Sequence, residues 1–311
     1  MREPVSSRVQ GEAVLAAAAV AGAARPTLVP WRRSRASSRA LYFNFIRLAF
    51  LKYLAYRLRY YTGVLSYTIF VAGNYYLYTA LYTSRSDLAE TAGRVAEIGG
   101  LTLGEMITYV GLAWIGRSFY FNNIDRTLSY QVQQGEIAVH LIKPFHLQTV
   151  MMFEAVGEAG FRLMMFTVPI VAVIVPLFDI QGPAQPALLG WTVLSFALAF
   201  VINSQINFLV GCLAFYLKNI NGVIRAKMIS MDFLTGVMIP FTFFPEWVQS
   251  VLARLPFQYI GYVPVTIYLG KRTGPDLVEA LLLQAAWGLG LFLAGRWVWN
   301  RSVRHVTLQG G

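Results

Sequence analysis

Long apolar stretches are the feature that most limits what this chain can fold into. Six of them lie near residues 63–83, 102–121, 161–178, 187–217, 228–245 and 277–299. A helix of about 20 apolar residues is long enough to cross the roughly 30 Å hydrocarbon core of a bilayer. The composition agrees, because only 13% of the residues are charged, whereas a soluble domain carries about 25%. The sequence therefore predicts an all-α integral membrane protein with six transmembrane helices.

Prolines interrupt the aromatic segment between the fifth and sixth stretches. Pro240, Pro245, Pro256 and Pro264 fall within about one helical span of each other, and proline ends or kinks a regular helix. Irregular backbone at membrane depth must be buried in protein or line a wet cavity. We therefore predict a re-entrant element over residues 244–264, made of two short helices that dip into the outer leaflet. The alternative is a loop on the membrane surface with an aromatic belt.

The charge distribution predicts how the chain is oriented. Its 26 Lys and Arg residues against 15 Asp and Glu give a formal net charge of +11. These residues lie beside the apolar stretches, so we assign them to anionic lipid headgroups and not to nucleic acid. With an inside amino terminus, only Arg85, Arg94, Arg254, Lys271 and Arg272 would lie outside. The positive-inside rule then predicts a multi-pass protein of the cell inner (cytoplasmic) membrane with both termini in the cytoplasm.

The two ends of the chain differ from the apolar body. Residues 1–40 are rich in Ala, Arg and Ser and lack periodic large apolar residues, which predicts a disordered cytoplasmic tail. A weak signal peptide or a targeting segment is the alternative. Residues 41–61 alternate basic with apolar or aromatic residues at helical spacing, which predicts an amphipathic helix in the inner membrane interface. Residues 306–311 form a short carboxy-terminal tail.

The stretch QQGEIAVHLIKPF, residues 133–145, falls in a predicted cytoplasmic segment over residues 122–160. Asp125 is a candidate helix cap, and Gly135 interrupts the apolar periodicity. We therefore predict two short amphipathic helices joined at Gly135. Further on, Glu158 and Arg162 are four residues apart, a spacing that predicts an ion pair on one helix face. The alternative is a solvated connector followed by a helix-stabilising pair.

Polar residues within the predicted spans are candidates for function. Glu105, Asn203 and Asn207 lie in the second and fourth spans, where an unpaired polar group is costly and usually faces protein or water. They are expected either to form hydrogen bonds between helices or to line a substrate pathway.

The sequence offers little support for chemistry carried out by this chain itself. The histidines His140, His146 and His305 lack the spacing of a metal site. The segment GKRTG at Gly270 is not a phosphate-binding loop, because Val265 stands where the upstream glycine would be. We therefore predict no catalytic residues and no metal site here.

The amino-terminal basic helix, the six spans, the Gly-Glu-Ile-x-x-x-Leu-x-x-Pro segment and the proline-broken element together resemble the permease subunits of type-2 ABC exporters. The similarity extends over residues 41–305 and is closest to bacterial permeases encoded with a separate ATPase. It implies a permease that forms the translocation path and has no cofactor of its own. It also implies an ABC ATPase subunit that binds ATP and Mg, and a second permease chain in a homodimer or heterodimer.

In that family the first cytoplasmic segment forms a coupling helix that seats in the ATPase. The resemblance assigns this role to Gln134, Gly135, Glu136, Ile137, Leu141, Lys143 and Pro144. In this interpretation Ile137, Val139, Leu141 and Ile142 offer apolar contacts, while Glu136 and Lys143 fix the register through charge.

Two other functions are compatible with a multi-span protein. A secondary transporter is expected to show internal repeats and ionisable residues at the midplane, and neither is evident in the sequence. A membrane-embedded transferase acting on lipid-linked substrates would require clustered Asp, Glu or His at one membrane face. No such cluster is evident in the sequence. Co-purification with an ATPase would distinguish the exporter permease from both alternatives.

The predicted topology can be tested by cysteine labelling. Because Cys212 is the only cysteine, Ser86→Cys and Gln134→Cys can each be labelled from a known side in a Cys212→Ala background. We expect a membrane-impermeant maleimide added to intact cells to label position 86 and not position 134. Labelling of both positions from the same side would contradict the topology.

Overall fold

The structure is a computed structural model that describes residues 38–55, 58–90, 97–141, 145–217 and 219–305. No β-strand occurs within these ranges. Of the tail predicted over residues 1–40, residues 1–37 lie outside them, as do the last six residues of the chain, whereas residues 38–40 begin the first helix. The α-helices are α1 (Ser38–Ala55), α2 (Leu58–Glu90), α3 (Leu103–Tyr120), α4 (Ile124–Gln133), α5 (Ile137–Leu141), α6 (Leu147–Arg162), α7 (Val168–Leu177), α8 (Pro186–Gly211), α9 (Asn221–Leu234), α10 (Glu246–Leu252), α11 (Tyr262–Tyr268) and α12 (Gly274–Ser302).

Three helical segments in the described part of the chain are long and apolar enough to cross a membrane. They are Leu147–Leu177, Pro186–Phe215 and Gly274–Ser302. They correspond to the third, fourth and sixth predicted spans, and end one residue short of the third and two residues short of the fourth. Helices α2 and α3 occupy the first and second predicted spans but are less apolar. The reason is compositional: α2 is rich in Tyr and hydroxyl residues, and α3 carries Glu105 and Arg117.

The third long helix starts earlier than the sequence predicts. It begins at Leu147, so the second part of the predicted loop over residues 122–160 is helix α6. A π turn over Leu163–Thr167 joins α6 to α7 immediately before Pro169. A π turn shifts the hydrogen-bond pattern by one residue, which allows the helix to continue past a residue that has no N–H to donate.

The structure contradicts a continuous fifth helix over residues 228–245. Helix α9 ends at Leu234 and, with 14 residues, is about 21 Å long at 1.5 Å per residue. Gly236 follows with a φ of +79°, a conformation that glycine adopts without steric cost. A side chain there would also meet the Tyr109 hydroxyl. The backbone therefore turns away before the helix has crossed a bilayer.

The proline-rich region after α9 consists of short helices. Pro245 precedes α10, Pro256 opens a 3₁₀ turn, and Pro264 lies in the first turn of α11. Proline is tolerated at these positions because the first N–H groups of a helix have no partner within that helix. The second short helix ends at Tyr268, four residues beyond the predicted boundary at Pro264. Re-entry of this region into the outer leaflet stays a prediction.

Helix α8 lies at the centre of the packing and contacts α12, α11, α4 and α3. One apolar cluster joins α8 to α4, α11 and α12, and a second joins α2, α3 and α7. Buried side chains occupy most of the carboxy-terminal half of α8, among them Ile202, Phe208 and several polar residues. This half of α8 is therefore the scaffold for the polar groups described below.

Helix α1 packs closely on α6 at a glycine. A Cβ atom on Gly157 would collide with the carbonyl oxygen of Ile46 and lie 2.8 Å from the Cβ of Ala49. Aromatic pairs flank this contact, including Tyr42 stacked on Phe153 with a centroid separation of 4.7 Å. The absence of a side chain at position 157 is what lets the two helix backbones approach.

Gly157→Leu should separate α1 from α6, because the obstructing atom is backbone and cannot rotate away. Overpacking of this kind typically costs about 1–3 kcal/mol. The measurement is equilibrium unfolding in mixed micelles. Gly160→Ala is the matched control, since a Cβ there would lie 3.9 Å from Phe50, at ordinary contact distance. Equal stability of the Gly157→Leu protein and the parent would contradict the close contact.

Candidate functional site

The residues expected to couple to an ATPase lie in and around a hairpin formed by α4 and α5. Gln134 follows α4, and its backbone N–H donates to the Tyr130 carbonyl. Gly135 has a φ of +72°, which reverses the chain at low steric cost. Glu136 is exposed at the start of α5. The structure thus contains the two short helices joined at Gly135 that the sequence predicts.

The apolar residues of the hairpin divide into an anchor and an exposed surface. Ile137 is only 2% exposed and packs in the same cluster as Leu128. Ile137 therefore packs within its own chain and differs in this from the other apolar residues expected to contact a partner. Tyr130, Val139 and Leu141 are 57%, 52% and 39% exposed. Ile142, Lys143 and Pro144 lie outside the described residues.

Asn203 and Asn207, the candidate pathway residues of α8, form hydrogen bonds within the chain. The Asn203 amide donates to the Tyr120 carbonyl at 3.0 Å. The Asn207 amide donates to the Asn122 carbonyl and side-chain oxygens at 3.1 and 2.9 Å, and Asn122 in turn donates to Ser204. These bonds fix the α3–α4 junction against α8. They match the first of the two expected roles, hydrogen bonding between helices.

A buried ion pair joins α4 to α9. The Lys227 ammonium group lies 2.7 Å from Asp125 Oδ2 and donates to Asn207 Oδ1 at 2.6 Å. The Asp125 side chain is 3% exposed, so the carboxylate depends on this partner for its compensation. Asp125 is therefore not the helix cap that the sequence predicted. Asn123 occupies the cap position, and Asp125 lies inside the first turn of α4.

A second ion pair, partly buried, joins α3 to α9. The Arg117 guanidinium donates to both oxygens of Asp232, at 2.7 and 2.9 Å, and to the Tyr67 hydroxyl at 2.8 Å. Its carbon atom lies 5.4 Å from the ring centroids of both Trp114 and Phe121. A bidentate arginine–carboxylate pair with aromatic rings around it is a strong and geometrically specific contact. We refer to Arg117, Asp125, Lys227 and Asp232 as the charged seam.

Glu158 forms a third ion pair, with Arg162, and its carboxylate joins α1, the start of α4 and α6. It accepts hydrogen bonds from Tyr53 at 2.9 Å, from Asn123 at 3.2 Å and from Arg162 at 2.9 Å. The Glu158–Arg162 pair is the one that the i,i+4 spacing predicts. Burial, and then the Glu158 carboxylate, raise the pKa of Tyr53 above its ordinary value, so the phenol stays protonated and donates. The ring of Phe121 lies 5.0 Å from the Arg162 guanidinium carbon and so connects Glu158 and Arg162 to the charged seam.

A narrow crevice opens beside the charged seam, between α3, α8 and α9. Its lining includes Phe121, Asn203, Asn207, Met228 and Met231 together with three seam residues. Each cation of the seam is paired with a carboxylate. The crevice therefore presents amide groups, aromatic faces and methionine side chains, and the surrounding charges are neutralised.

Glu105, the third candidate pathway residue, lies away from the crevice in the first turn of α3. Its carboxylate and the Thr102 hydroxyl form a capping box, and Glu105 also pairs with Lys271 at 2.6 Å. These contacts cap α3 and attach it to the turn before α12. Among the described residues there is also no group of His, Cys, Asp and Glu side chains that could hold a metal ion.

Removing one partner of the charged seam should be strongly destabilising. Asp232→Asn leaves the partly buried Arg117 charge without its carboxylate, a change that costs about 3–5 kcal/mol where the charge is fully buried, which sets the upper bound here. Unfolding in mixed micelles measures it, with the exposed Asp276→Asn as control, for which we expect a change within about 0.5 kcal/mol. The double variant Arg117→Met with Asp232→Leu should recover much of the loss, because neither charge remains. A fully stable Asp232→Asn protein would contradict the pairing.

Comparison with known protein families gives one match. A family model described as "ABC-2 family transporter protein" matches residues 69–310, from within α2 through α12. No curated protein and no solved structure matches the chain. The match covers well over half of the 311 residues, and the long apolar helices are those of a membrane protein. The chain therefore belongs to the ABC-2 family of transporter proteins and is the membrane-spanning permease component of an ABC transporter.

Proposed function

We propose that this chain is the permease subunit of an ATP-driven exporter, that it forms the translocation path, and that a separate ATPase subunit powers it. The observation that carries the proposal is the α4–α5 hairpin, which presents apolar side chains to the surroundings from a rigidly held turn. The family membership supports an ABC transporter. We propose that the ATPase partner binds ATP and Mg.

The hairpin is suited to docking because its base is buried and its tip is exposed. Leu128 and Ile137 are 0% and 2% exposed and fix α4 and α5 to the helical core. Tyr130, Val139 and Leu141 project outward on the same unit. Apolar and aromatic side chains held in place before binding lose little conformational entropy on association. We propose that this surface is the contact with the ATPase.

The other residues around the turn complete the proposed contact. Gln134, Gly135 and Glu136 form the exposed turn itself, where a charge at Glu136 can set the register against the partner. Lys143 and Pro144 follow α5 in the sequence and are proposed to extend the same surface. Ile137 is excluded from the surface by its burial and serves as the anchor.

The packing supports six membrane passages for the described chain. The ring centroids of Phe208 on α8 and Trp299 on α12 lie 5.9 Å apart, so the carboxy-terminal ends of these two helices are neighbours. Because α12 must therefore begin at the opposite end, the chain between α8 and α12 has to cross once. We propose that α9 and the short helices after it make this crossing together. With α2, α3, the α6–α7 helix, α8 and α12, that gives six passages.

The proposed working unit contains two permease chains and two ATPase subunits in the inner membrane, with both permease termini in the cytoplasm. An even number of passages and the Lys and Arg distribution support this orientation. Hydrolysis in the ATPase would then bias the permease between inward-open and closed or outward-open arrangements. The direction of transport follows from the resemblance to exporters.

Truncating the exposed apolar side chains of the hairpin should weaken ATPase binding. Anchor residues in interfaces commonly contribute more than about 2 kcal/mol, so Leu141→Ala should reduce association by roughly 30-fold. Val139→Asp should reduce it at least as much, because it adds a charge to an apolar contact. The measurement is pull-down of the ATPase together with ATP turnover in liposomes.

Leu283→Ala is the matched control for this experiment. Leu283 is 41% exposed, close to the 39% of Leu141, but it lies on α12. We expect this variant to bind the ATPase as the parent does. If the hairpin variants also retain both association and coupled turnover, the ATPase contacts the permease elsewhere.

A further inference from the structure

Helix α9 is weakly packed for an element that sits beside a buried ion network. Of its 14 residues, only Ile224 and Met231 are buried, and Arg225, Ile229 and Phe233 are exposed. Side-chain packing therefore contributes less to its position than to that of α8. The two ion pairs of the charged seam attach it to α3 and α4, and Ile224 also belongs to a small apolar cluster that includes Val132 of α4.

The two ion pairs have opposite polarity. Helix α9 contributes the cation Lys227 to one and the anion Asp232 to the other. The α3–α4 segment contributes the matching anion Asp125 and cation Arg117. Sliding α9 along its axis by the distance between its two charges would place like charges near each other, which is unfavourable in a low-dielectric interior. The seam therefore fixes α9 in one register.

Helix α4 connects the seam to the hairpin tip. Asp125 lies in its first turn, and Gly135 comes two residues after its end at Gln133, so the helix of 10 residues, about 15 Å long, separates the two. Near its middle, Leu128 lies against Gly211 of α8, with 3.1 Å between the Leu128 Cβ and a Cβ built on the glycine. Because α4 is a continuous helix that contacts α8 near its middle, we expect a movement of its hairpin end to be accompanied by a movement of its Asp125 end.

We infer that the Asp125–Lys227 ion pair is the contact through which movement of the α4–α5 hairpin displaces α9, while the Arg117–Asp232 pair is the pivot about which α9 turns. This inference rests on the proposed ATPase docking at the hairpin. The crevice lined by Met228 and Met231 lies next to α9, so this face of the helix is not fully packed. Asp125 and Lys227 are thus positioning residues, which act through α9 and not on a ligand.

The test follows α4 and α9 separately in the full permease–ATPase complex in nanodiscs. In a Cys212→Ala background, spin labels at Arg126→Cys and Leu289→Cys report α4 against α12, and labels at Ser230→Cys and Leu289→Cys report α9 against α12. All three labelled positions are exposed. Distances are measured by electron spin resonance without nucleotide and with Mg-ATP plus vanadate.

In the parent complex we expect nucleotide to change both distances. In Asp125→Asn and in Lys227→Gln, the α4 distance should still change and the α9 change should be lost. The exchanged pair, Asp125→Lys with Lys227→Asp, should recover the α9 change. Glu105→Gln is the control, because its ion pair with Lys271 does not involve α9.

Each result decides the inference. An α9 change that persists unaltered in both single variants overturns the transmission role and leaves the proposed function intact. A parent complex in which α4 moves and α9 does not has the same consequence. If no ATPase binds, or if neither helix responds in the parent, the proposed function fails as well. Should the single variants be lost during purification, the exchanged pair still decides, since failure of the α9 change there contradicts the inference.

Discussion

The structure depends on the pairing of charges that are buried among apolar helices. A charge removed from water is costly unless a partner and hydrogen bonds compensate it. Here Arg117 meets Asp232, Lys227 meets Asp125, and Arg162 meets Glu158. The Arg117–Asp232 and Lys227–Asp125 pairs each join two helices directly. The Arg162–Glu158 pair lies on one helix and contacts others through Tyr53 and Asn123. Compensation of charge therefore also determines which helices lie together. The amides of α8 complete the network by holding the α3–α4 junction.

Local features of the sequence predicted their structures well, whereas contacts between distant residues were not accessible. The Glu158–Arg162 pair was predictable because four residues of helix place both side chains on one face. The partners of the charged seam are separated by 102 and 115 residues, and a single sequence carries no signal for such pairings. A lone Asp232 among apolar residues was the available clue, since an acid at that depth requires a partner.

The predicted spans show the same division between composition and geometry. Apolar length correctly located the long helices ending at Leu177, Phe215 and Ser302. It failed over residues 228–245, where composition stays apolar but Gly236 adopts a left-handed conformation and ends the helix. At the hairpin, the pattern predicted the turn at Gly135 but could not distinguish Ile137, which is buried, from Leu141, which is exposed. That distinction depends on the position of α8.

The exposed face of the α4–α5 hairpin is the surface where we propose that the ATPase contacts the permease. Site-specific photocrosslinking tests it directly: a benzoylphenylalanine placed at Val139 is irradiated in membranes that contain the assembled complex. We expect a covalent adduct between the permease and the ATPase at Val139. We expect no adduct when the same group replaces Trp247, which is 72% exposed on α10. An adduct at Trp247 with none at Val139 would contradict an ATPase contact at the hairpin.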